Sequence, residues 1–516
     1  MVVEQGWWIV VKSVFNWLSC RGIGLDQDVH TPLHSHHIVT GAHCVVSTNS
    51  QAILEAAGSF FRQAVEPQSP PTLSLHFWVD PAAQNSRPWP QPFFRGLGHL
   101  AYAGFDSENS LLLDLRRRSV LGRFSPAMAQ DADYWQRVIL PTLVGLASDA
   151  LGVTVIHSAC VERNGVGLLL AGESGAGKST LSLAMAQCGF AFLSDDWTYL
   201  SHAGGQLVAW GLVTPLKLLP HAAKYFPELR SREPDVSLNG ERAYEVDPEQ
   251  VFGVRRSLRC EPHWLVFLER QDKPGHTFVR MPPQAAAMRL GSALERLPRE
   301  LSRLRETQKT TIRSLVEREC WVFRYGENPG AVAQALDRFC AVSRPKVRRR
   351  IAAKHRPLFV RRAASLIRRF TPTPLVADLG AGECAIRLEA NSPTILRLVG
   401  NALNRDQRNQ PSPPRFLWRL ISDHDAGVHL PPSGFSSVSA DGMQVVNMGQ
   451  RGFMAMDADA RCAVGFLAKE LLRDGQRFEK LVLARLLSLT AMAIRWKPGQ
   501  SPNGKDECPG LVESTR

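Results

Sequence analysis

The residues of this sequence that could carry out chemistry are concentrated between Val166 and Trp197. A glycine-rich turn there fits the pattern GxxxxGK[ST], with Gly172 at its start and Lys178 and Ser179 at its end. An apolar strand is predicted over residues 166–171 before the turn and a helix over residues 178–188 after it, which is the context that distinguishes a phosphate loop from a chance match. Glycines suit such a loop because they adopt the positive φ angles that turn successive backbone N–H groups toward an anion.

The spacing of this turn predicts a role for its residues toward a nucleotide. The unpaired N–H groups at the start of the predicted helix favour an anion. The Lys178 ammonium would reach the terminal phosphates and the Ser179 hydroxyl would bind Mg²⁺, so ATP and Mg²⁺ are the predicted cofactors. The alternative is a glycine-rich turn that only caps a helix. The predicted cofactor-binding residues are Gly172, Glu173, Ser174, Gly175, Ala176, Gly177, Lys178, Ser179 and Thr180.

Two adjacent carboxylates, Asp195 and Asp196, follow the next apolar segment, residues 191–194. At the end of a buried strand they cost desolvation and repel each other unless a cation or a proton relieves them. A complex of Mg²⁺ and ATP would supply that cation. The alternative interpretation is that the two aspartates only cap a following turn.

A strand hairpin is predicted just before the phosphate loop, because Asn164 and Gly165 separate two apolar runs. This hairpin would carry His157 toward the nucleotide. By itself, a histidine on a strand is more often a hydrogen-bonded core residue than a participant in chemistry.

The order of His157, the segment GVGLLLAGESGAGKS and the segment GFAFLSDD resembles the catalytic core of the HPr kinase/phosphorylase family. The resemblance covers about residues 156–197 and extends less specifically to residue 342. It implies that Asp195 is the general base for a serine hydroxyl and that Asp196 holds His157 or a water of the metal. It also implies a catalytic set of His157, Lys178, Asp195 and Asp196, with Ser179 and Asp196 at the metal.

The family resemblance implies an ATP-dependent kinase that transfers the γ-phosphate to a serine-type hydroxyl. The alternative function is a P-loop ATPase or a nucleotide-dependent switch without a dedicated acceptor. Residues 208–229 do not contain the family's later segment with a metal-binding glutamate, and the arginine-rich loop associated with its phosphorylase activity is not recognisable. The sequence therefore names neither the phosphoryl acceptor, which could be a protein or a small molecule, nor a reverse reaction.

The predicted fold class is α/β: a P-loop kinase-like domain whose strand-rich sheet is flanked by helices, plus two copies of a small α+β accessory domain. The duplication is predicted because NSQAIL, from Asn49, recurs as NSPTIL, from Asn391. Long helices are predicted over residues 133–150 and 285–319. The predicted segments are an N-terminal extension (1–37), accessory copy 1 (38–150), the HPr-kinase-like domain (151–342), a basic linker (343–370), accessory copy 2 (371–500) and a disordered tail (501–516).

Charge and cysteine content set bounds on partners and compartment. The basic linker holds eleven lysines and arginines and no acidic residue, and so accounts for most of the net charge of +13. It is either a solvated linker or a segment for an anionic partner, a membrane surface or nucleic acid. Ten scattered cysteines without a CxxC pair suit a reducing cytoplasm. No apolar run reaches the length of a membrane span, and a homo-oligomer remains open.

Overall fold

The structure is a computed structural model of a mixed α/β protein with several sheets flanked by helices. It describes residues 30–64, 71–90, 92–212, 214–236, 241–291, 294–326, 328–342, 369–381, 384–403, 416–423, 436–440 and 442–495. The chain divides into two compact units. The larger comprises Thr31–Phe105 and Asn109–Phe370, and the smaller comprises Met1–His30, Asp106–Glu108 and Thr371–Arg516.

The larger unit contains both strands and helices. The strands are β1 (Leu33–Val39), β2 (Ala42–Thr48), β3 (Arg62–Gln63), β4 (Leu73–Val79), β5 (Phe93–Leu97), β6 (Leu100–Gly104), β7 (Ser110–Asp114), β8 (Ser119–Phe124), β9 (Thr154–Arg163), β10 (Val166–Ala171), β11 (Ala191–Ser194), β12 (Trp197–Ala203), β13 (Gln206–Trp210), β14 (Leu216–Leu218), β15 (Asp235–Val236), β16 (Arg242–Val246), β17 (Arg259–Arg270), β18 (His276–Arg280) and β19 (Glu319–Tyr325). The helices are α1 (Gln51–Phe60), α2 (Pro126–Ala129), α3 (Ala132–Tyr134), α4 (Leu140–Ala147), α5 (Lys178–Gln187), α6 (Pro248–Phe252), α7 (Pro283–Gly291), α8 (Ser302–Val316) and α9 (Pro329–Val342), with a π-helical turn at Trp135–Ile139 and 3₁₀ turns at Pro220–Lys224, Pro227–Leu229 and Arg299–Leu301.

The first sheet of the larger unit has the order β3-β1-β2-β4-β8-β7-β6-β5. Strand β4 alternates buried and half-buried side chains along LSLHFWV, which is the period of a strand with one face on a core. Helix α1 contributes a stripe at the spacing i, i+3, i+4, i+7, namely the buried residues Ile53, Ala56, Ala57 and Phe60. These two patterns place the core of this part of the unit between the sheet and its helices.

The second sheet has the order β10-β9-β12-β13-β17-β19-β18, and β10 also pairs with β17, so that five strands form a closed ring. Strands β10, β17 and β19 run parallel to one another. Leu168 and Leu170 face a core shared with α5 and α9, whereas Leu169 faces a core shared with α7 and α8. Burial on both faces explains why the sequence of β10 is continuously apolar. The carboxyl ends of the parallel strands meet at one edge, where a ligand site is expected.

A small third sheet, β14-β16-β15, is formed by the part of the chain between β13 and β17. The smaller unit contains β20 (Leu375–Ala381), β21 (Cys384–Ala390), β22 (Phe416–Asp423), β23 (Ser436–Ala440), β24 (Met443–Asn447), β25 (Gly452–Asp457) and β26 (Cys462–Ala468), with α10 (Pro393–Leu403), α11 (Gly475–Phe478), α12 (Ala484–Arg495), a π-helical turn at Glu479–Leu483 and 3₁₀ turns at Gly449–Arg451 and Lys469–Leu472. Its sheet has the order β20-β21-β22-β26-β25-β24-β23.

The sheet of the smaller unit repeats the strand order of the first sheet of the larger unit, apart from the extra edge strand β3. A side-chain bridge also recurs. The Asn49 amide bonds the backbone N–H and C=O of Val79 at 2.8 and 2.9 Å. The Asn391 amide bonds the same two groups of Ser422 at 2.8 and 3.0 Å. The two asparagines are those of the repeated sequence motif.

Two predicted helices are interrupted in the structure. The single helix predicted over residues 285–319 is wrong: α7 ends at Gly291 and α8 begins at Ser302, with Pro298 between them, because proline cannot continue the hydrogen bonding of a helix. The helix predicted over residues 133–150 contains the π-helical turn Trp135–Ile139 just before Pro141. The smaller unit has a π-helical turn at the equivalent place without a proline, so Pro141 is not its sole cause.

Three predicted segments lie wholly or largely outside the described residues. These are the N-terminal extension up to residue 29, the basic linker from residue 343 to 368, and the tail from residue 501. Among the helices that the structure describes, none is both long and apolar enough to cross a membrane.

Candidate active site

The glycine-rich loop, residues 172–179, connects β10 to α5 at the edge where the parallel strands end. Gly175 and Gly177 have φ angles of 79° and 92°, which only glycine adopts without strain. Gly177 is the N-cap of α5 and has no side chain with which to satisfy the N–H groups of the first turn. The loop and the helix start therefore present backbone donors together, as an anion-binding site requires.

Lys178 lies at the first position of α5 and is buried. Its ammonium donates to the carbonyl oxygens of Gly172 at 3.0 Å and Glu173 at 3.2 Å. Burial lowers the pKa of Lys178, while the charges of Asp196 and Asp195 act to raise it. The ammonium thus lies over the start of the loop, within electrostatic range of both carboxylates.

Asp195 lies directly after β11 and is only 6% exposed. Its Oδ2 accepts the backbone N–H of Lys217, on β14, at 3.0 Å. Burial, followed by the negative charge of Asp196, raises the pKa of Asp195 to about 7, against the opposing effects of the Lys217 hydrogen bond and the charge of Arg256. Near neutral pH, Asp195 is therefore present partly as the neutral acid and partly as the carboxylate.

Asp196 is more exposed than Asp195 and bonds to His157. The Nε2 of His157, on β9, lies 2.6 Å from Asp196 Oδ1. Burial acts to raise the pKa of Asp196, but the hydrogen bond and charge of His157 and the charge of Lys178 hold it below its ordinary value. Two neighbouring carboxyl groups thus have pKa values displaced in opposite directions, which is how environments divide acid–base roles between chemically identical groups.

Strand pairing explains how His157 reaches this corner. In the ladder between β9 and β12, His157 is opposite Trp197, and their ring centroids are 5.4 Å apart. Strand β11 pairs with β9 on the same side, so the aspartates that follow β11 lie beside the histidine. The structure therefore brings together all four predicted catalytic residues, His157, Lys178, Asp195 and Asp196, next to the loop.

Comparison with known proteins adds little to this geometry. No protein-family model and no curated protein matches the chain. Among solved structures, the chain is similar to that of the Hpr(Ser) kinase/phosphatase from Coxiella burnetii, with a TM-score of 0.21 and 15% sequence identity, over 36% of this chain and 96% of that chain. A TM-score this low does not establish a common fold.

Several residues at this corner carry no recognisable sequence signal. Lys217 supplies the backbone donor to Asp195, and its ammonium bonds Glu241 at 2.8 Å. Arg256 contributes charge to Asp195, and its guanidinium donates to the Thr214 carbonyl at 3.2 Å. Nothing local in the sequence shows that β14 and the segment after α6 fold back beside β11.

The donor set suits a hard divalent cation. Asp196 offers carboxylate oxygen and Ser179, at the second position of α5, offers a half-buried hydroxyl. Oxygen donors of this kind, completed by water and phosphate oxygens, are what Mg²⁺ takes in nucleotide sites. Burial and the charge of Asp196 raise the pKa of Asp195, and a cation bound beside the pair would favour its carboxylate form. The residues present therefore fit a magnesium–nucleotide complex.

Proposed function

We propose that this protein is an ATP-dependent kinase that transfers the γ-phosphoryl group of Mg²⁺-bound ATP to a hydroxyl group. The observation that carries the proposal is the grouping of Asp195 and Asp196, with pKa values displaced in opposite directions, within electrostatic range of Lys178 on a GxxxxGK[ST] loop. Phosphoryl transfer needs mainly positioning and charge neutralisation, and these groups supply both.

The loop would act as a P-loop. Its backbone N–H groups, from Gly172 to Thr180, would hold the phosphates. Lys178 would exchange its bonds to the Gly172 and Glu173 carbonyls for bonds to terminal phosphate oxygens. Ser179 and Asp196 would hold Mg²⁺, which neutralises phosphate charge when it is bound. His157 orients Asp196 through its 2.6 Å hydrogen bond.

Asp195 would be the general base. The acceptor oxygen forms a bond to the γ-phosphorus, the bond from that phosphorus to the β,γ-bridging oxygen breaks, and ADP leaves with the electron pair. The proton of the acceptor hydroxyl passes to Asp195. A base with a pKa near the working pH is both ionised often enough and basic enough for this step.

The test is to incubate the purified chain with Mg²⁺ and γ-labelled ATP, with and without an extract of small molecules and proteins from its own host. The label should appear on an acceptor with wild type and be lost with Lys178→Ala. ATP turnover that does not depend on any acceptor would instead favour the ATPase or switch. Labelling that survives in Lys178→Ala would contradict the proposal.

The two sheets of equal strand order are proposed to be two copies of one recognition or pairing module. Support comes from the shared strand order and from the matching bridges made by Asn49 and Asn391. The proposal keeps the predicted division into residues 38–150, 151–342 and 371–500, with the first copy extended to the start of β1 at Leu33. A full-length chain carrying Asn391→Ala that still binds and phosphorylates its acceptor normally, despite a destabilised second copy, would count against a recognition role for that copy.

A further inference from the structure

The outer side of the glycine-rich loop is held by two residues far from it in sequence, Tyr325 and Arg270. Tyr325 is the last residue of β19 and Arg270 is the last residue of β17, and the parallel ladder places them opposite each other. Both therefore lie at the sheet edge that carries the loop, on the side away from β9, β11 and the aspartates.

Tyr325 contacts the loop backbone directly. Its hydroxyl donates to the carbonyl oxygen of Ala176 at 2.5 Å. Tyr325 is only 2% exposed, and its ring stacks on that of Phe323 with centroids 5.5 Å apart. This packing fixes the direction in which the hydroxyl points. A Cβ atom on Gly177 would collide with the Tyr325 oxygen. The positive φ angle and the missing side chain of Gly177 therefore accommodate this hydroxyl as well as a phosphate.

Arg270 contacts the tyrosine from its other side. Its guanidinium carbon is 5.8 Å from the centroid of the Tyr325 ring. Interaction with Tyr325 is the largest contribution to the pKa of Arg270 and raises it, against the opposing effect of burial. Arg270 thus places a positive charge beside the Tyr325 ring, while the Tyr325 O–H donates to Ala176. Burial raises the pKa of Tyr325, so that its proton remains in place at neutral pH.

These contacts connect the Arg270 charge to the loop: the guanidinium lies against the Tyr325 ring, and the phenol O–H donates to the Ala176 carbonyl. That carbonyl belongs to the same peptide group as the N–H of Gly177. Positive charge beside a phenol makes its O–H a stronger donor, and an O–H that pulls electron density toward the carbonyl oxygen makes the Gly177 N–H a stronger donor in turn. Fixing the carbonyl also fixes the direction in which that N–H points.

We infer that Tyr325 and Arg270 are positioning residues that orient and polarise the Ala176–Gly177 peptide group for binding the phosphates of a nucleotide. The inference rests on the proposed function, because it needs phosphate on the inner side of the loop. Arg270 acts through Tyr325, and its own guanidinium does not have to touch the nucleotide. The pair accounts for the position of a charged side chain at the end of β17 that the proposed transfer step does not use.

The experiment is a double-mutant cycle on the full-length protein, with the dissociation constant of AMP-PNP and Mg²⁺ measured by calorimetry. Tyr325→Phe keeps the ring and should weaken binding roughly fivefold, the effect of losing one hydrogen bond between uncharged groups. Arg270→Gln should weaken it by a smaller factor, and should cause no further loss when Tyr325 is already Phe. In turnover, Tyr325→Phe should raise the KM for ATP more than it lowers kcat.

Tyr102→Phe is the matched control, because Tyr102 is equally buried, at 1% exposure, on β6 of the first sheet. It should leave the nucleotide affinity unchanged. If Tyr325→Phe also lowers the thermal midpoint, its loss of affinity could come from a damaged fold. The test then depends on the exposed Arg270, and Arg270→Gln must weaken nucleotide binding without changing the thermal midpoint.

Additive losses of nucleotide affinity in Tyr325→Phe and Arg270→Gln would show that the two residues act independently and would overturn the inference. Wild-type affinity in both variants would also overturn it. A third result is that wild type binds nucleotide, Lys178→Ala does not, and the Tyr325 and Arg270 variants bind like wild type. In that case this inference fails while the proposed function stands. A wild-type chain that binds no nucleotide would remove the proposed function and the inference together.

Discussion

Replacing Asp195 by asparagine should make the folded protein more stable at alkaline pH while abolishing phosphoryl transfer. The carboxyl is 6% exposed and burial raises its pKa from the ordinary 3.8 to about 7. The folded protein therefore binds this proton more tightly than the unfolded chain does. The stability contributed by this group is full below about pH 4 and is lost as the pH rises through about 7.

The magnitude follows from the size of the displacement. A pKa difference of about three units, at about 1.4 kcal/mol per unit, makes ionised Asp195 cost the fold up to about 4 kcal/mol at pH 8. Asparagine has nearly the same shape and carries no charge, so Asp195→Asn should recover part of this cost at pH 8 and much less at pH 5. For a unit of this size the gain amounts to roughly 2–5 °C in the thermal midpoint.

The assay is thermal unfolding of wild type and variants, without nucleotide, at pH 5 and pH 8. Asp196→Asn is the matched variant with the opposite expected sign, because the bond from His157 and nearby positive charge lower the pKa of Asp196. It should destabilise the protein at both pH values. Equal midpoint changes for Asp195→Asn at the two pH values, or an Asp195 that titrates near 4, would refute the reasoning.

Three further outcomes follow from the same geometry. Asp195→Asn should abolish transfer, measured with labelled ATP, while Mg²⁺·ATP binding by calorimetry stays within about an order of magnitude of wild type; an active variant would overturn the assignment of the base. His157→Ala removes the bond that orients Asp196, so the Mg²⁺ concentration for half-maximal activity should rise roughly tenfold; an unchanged Mg²⁺ requirement would exclude that role. Gly177→Ala places a Cβ against the Tyr325 oxygen at a φ angle of 92°, so it should abolish nucleotide binding; affinity within a few-fold of wild type would show that the loop relaxes.

The local parts of the site could be predicted from sequence because their signals are local. Strands β10 and β11 have the predicted bounds, and α5 ends one residue before the predicted position. The apolar runs were long enough to identify the strands, and the glycine spacing left one place for the turn. The hairpin before the loop was likewise marked by Asn164, which has a φ angle of 54°, and Gly165.

The remaining parts of the site depend on pairings between distant segments, which no short pattern records. Lys217 reaches Asp195 across 22 residues, and Tyr325 reaches Ala176 across 149. Both contacts exist because β14 folds back beside β11 and because β17 and β19 join β10 in parallel. Parallel neighbours can be far apart in a chain, since each needs a crossover connection. The sequence could thus predict the loop and the elements next to it, but not which distant side chains surround it.

The corner around the loop combines groups that each cost stability without a ligand. Gly177 leaves N–H groups of α5 without a side-chain cap, Lys178 is buried against backbone carbonyls, and Asp195 is buried beside a second carboxylate. Phosphate oxygens would satisfy the N–H groups and the ammonium, and a bound divalent cation would neutralise the carboxylates. Uncapped N–H groups and buried charges that cost stability are expected to occur together at functional sites. A single ligand of magnesium and triphosphate would relieve all of these costs together, and this coincidence is our reason to propose a nucleotide site rather than an ordinary turn that caps a helix.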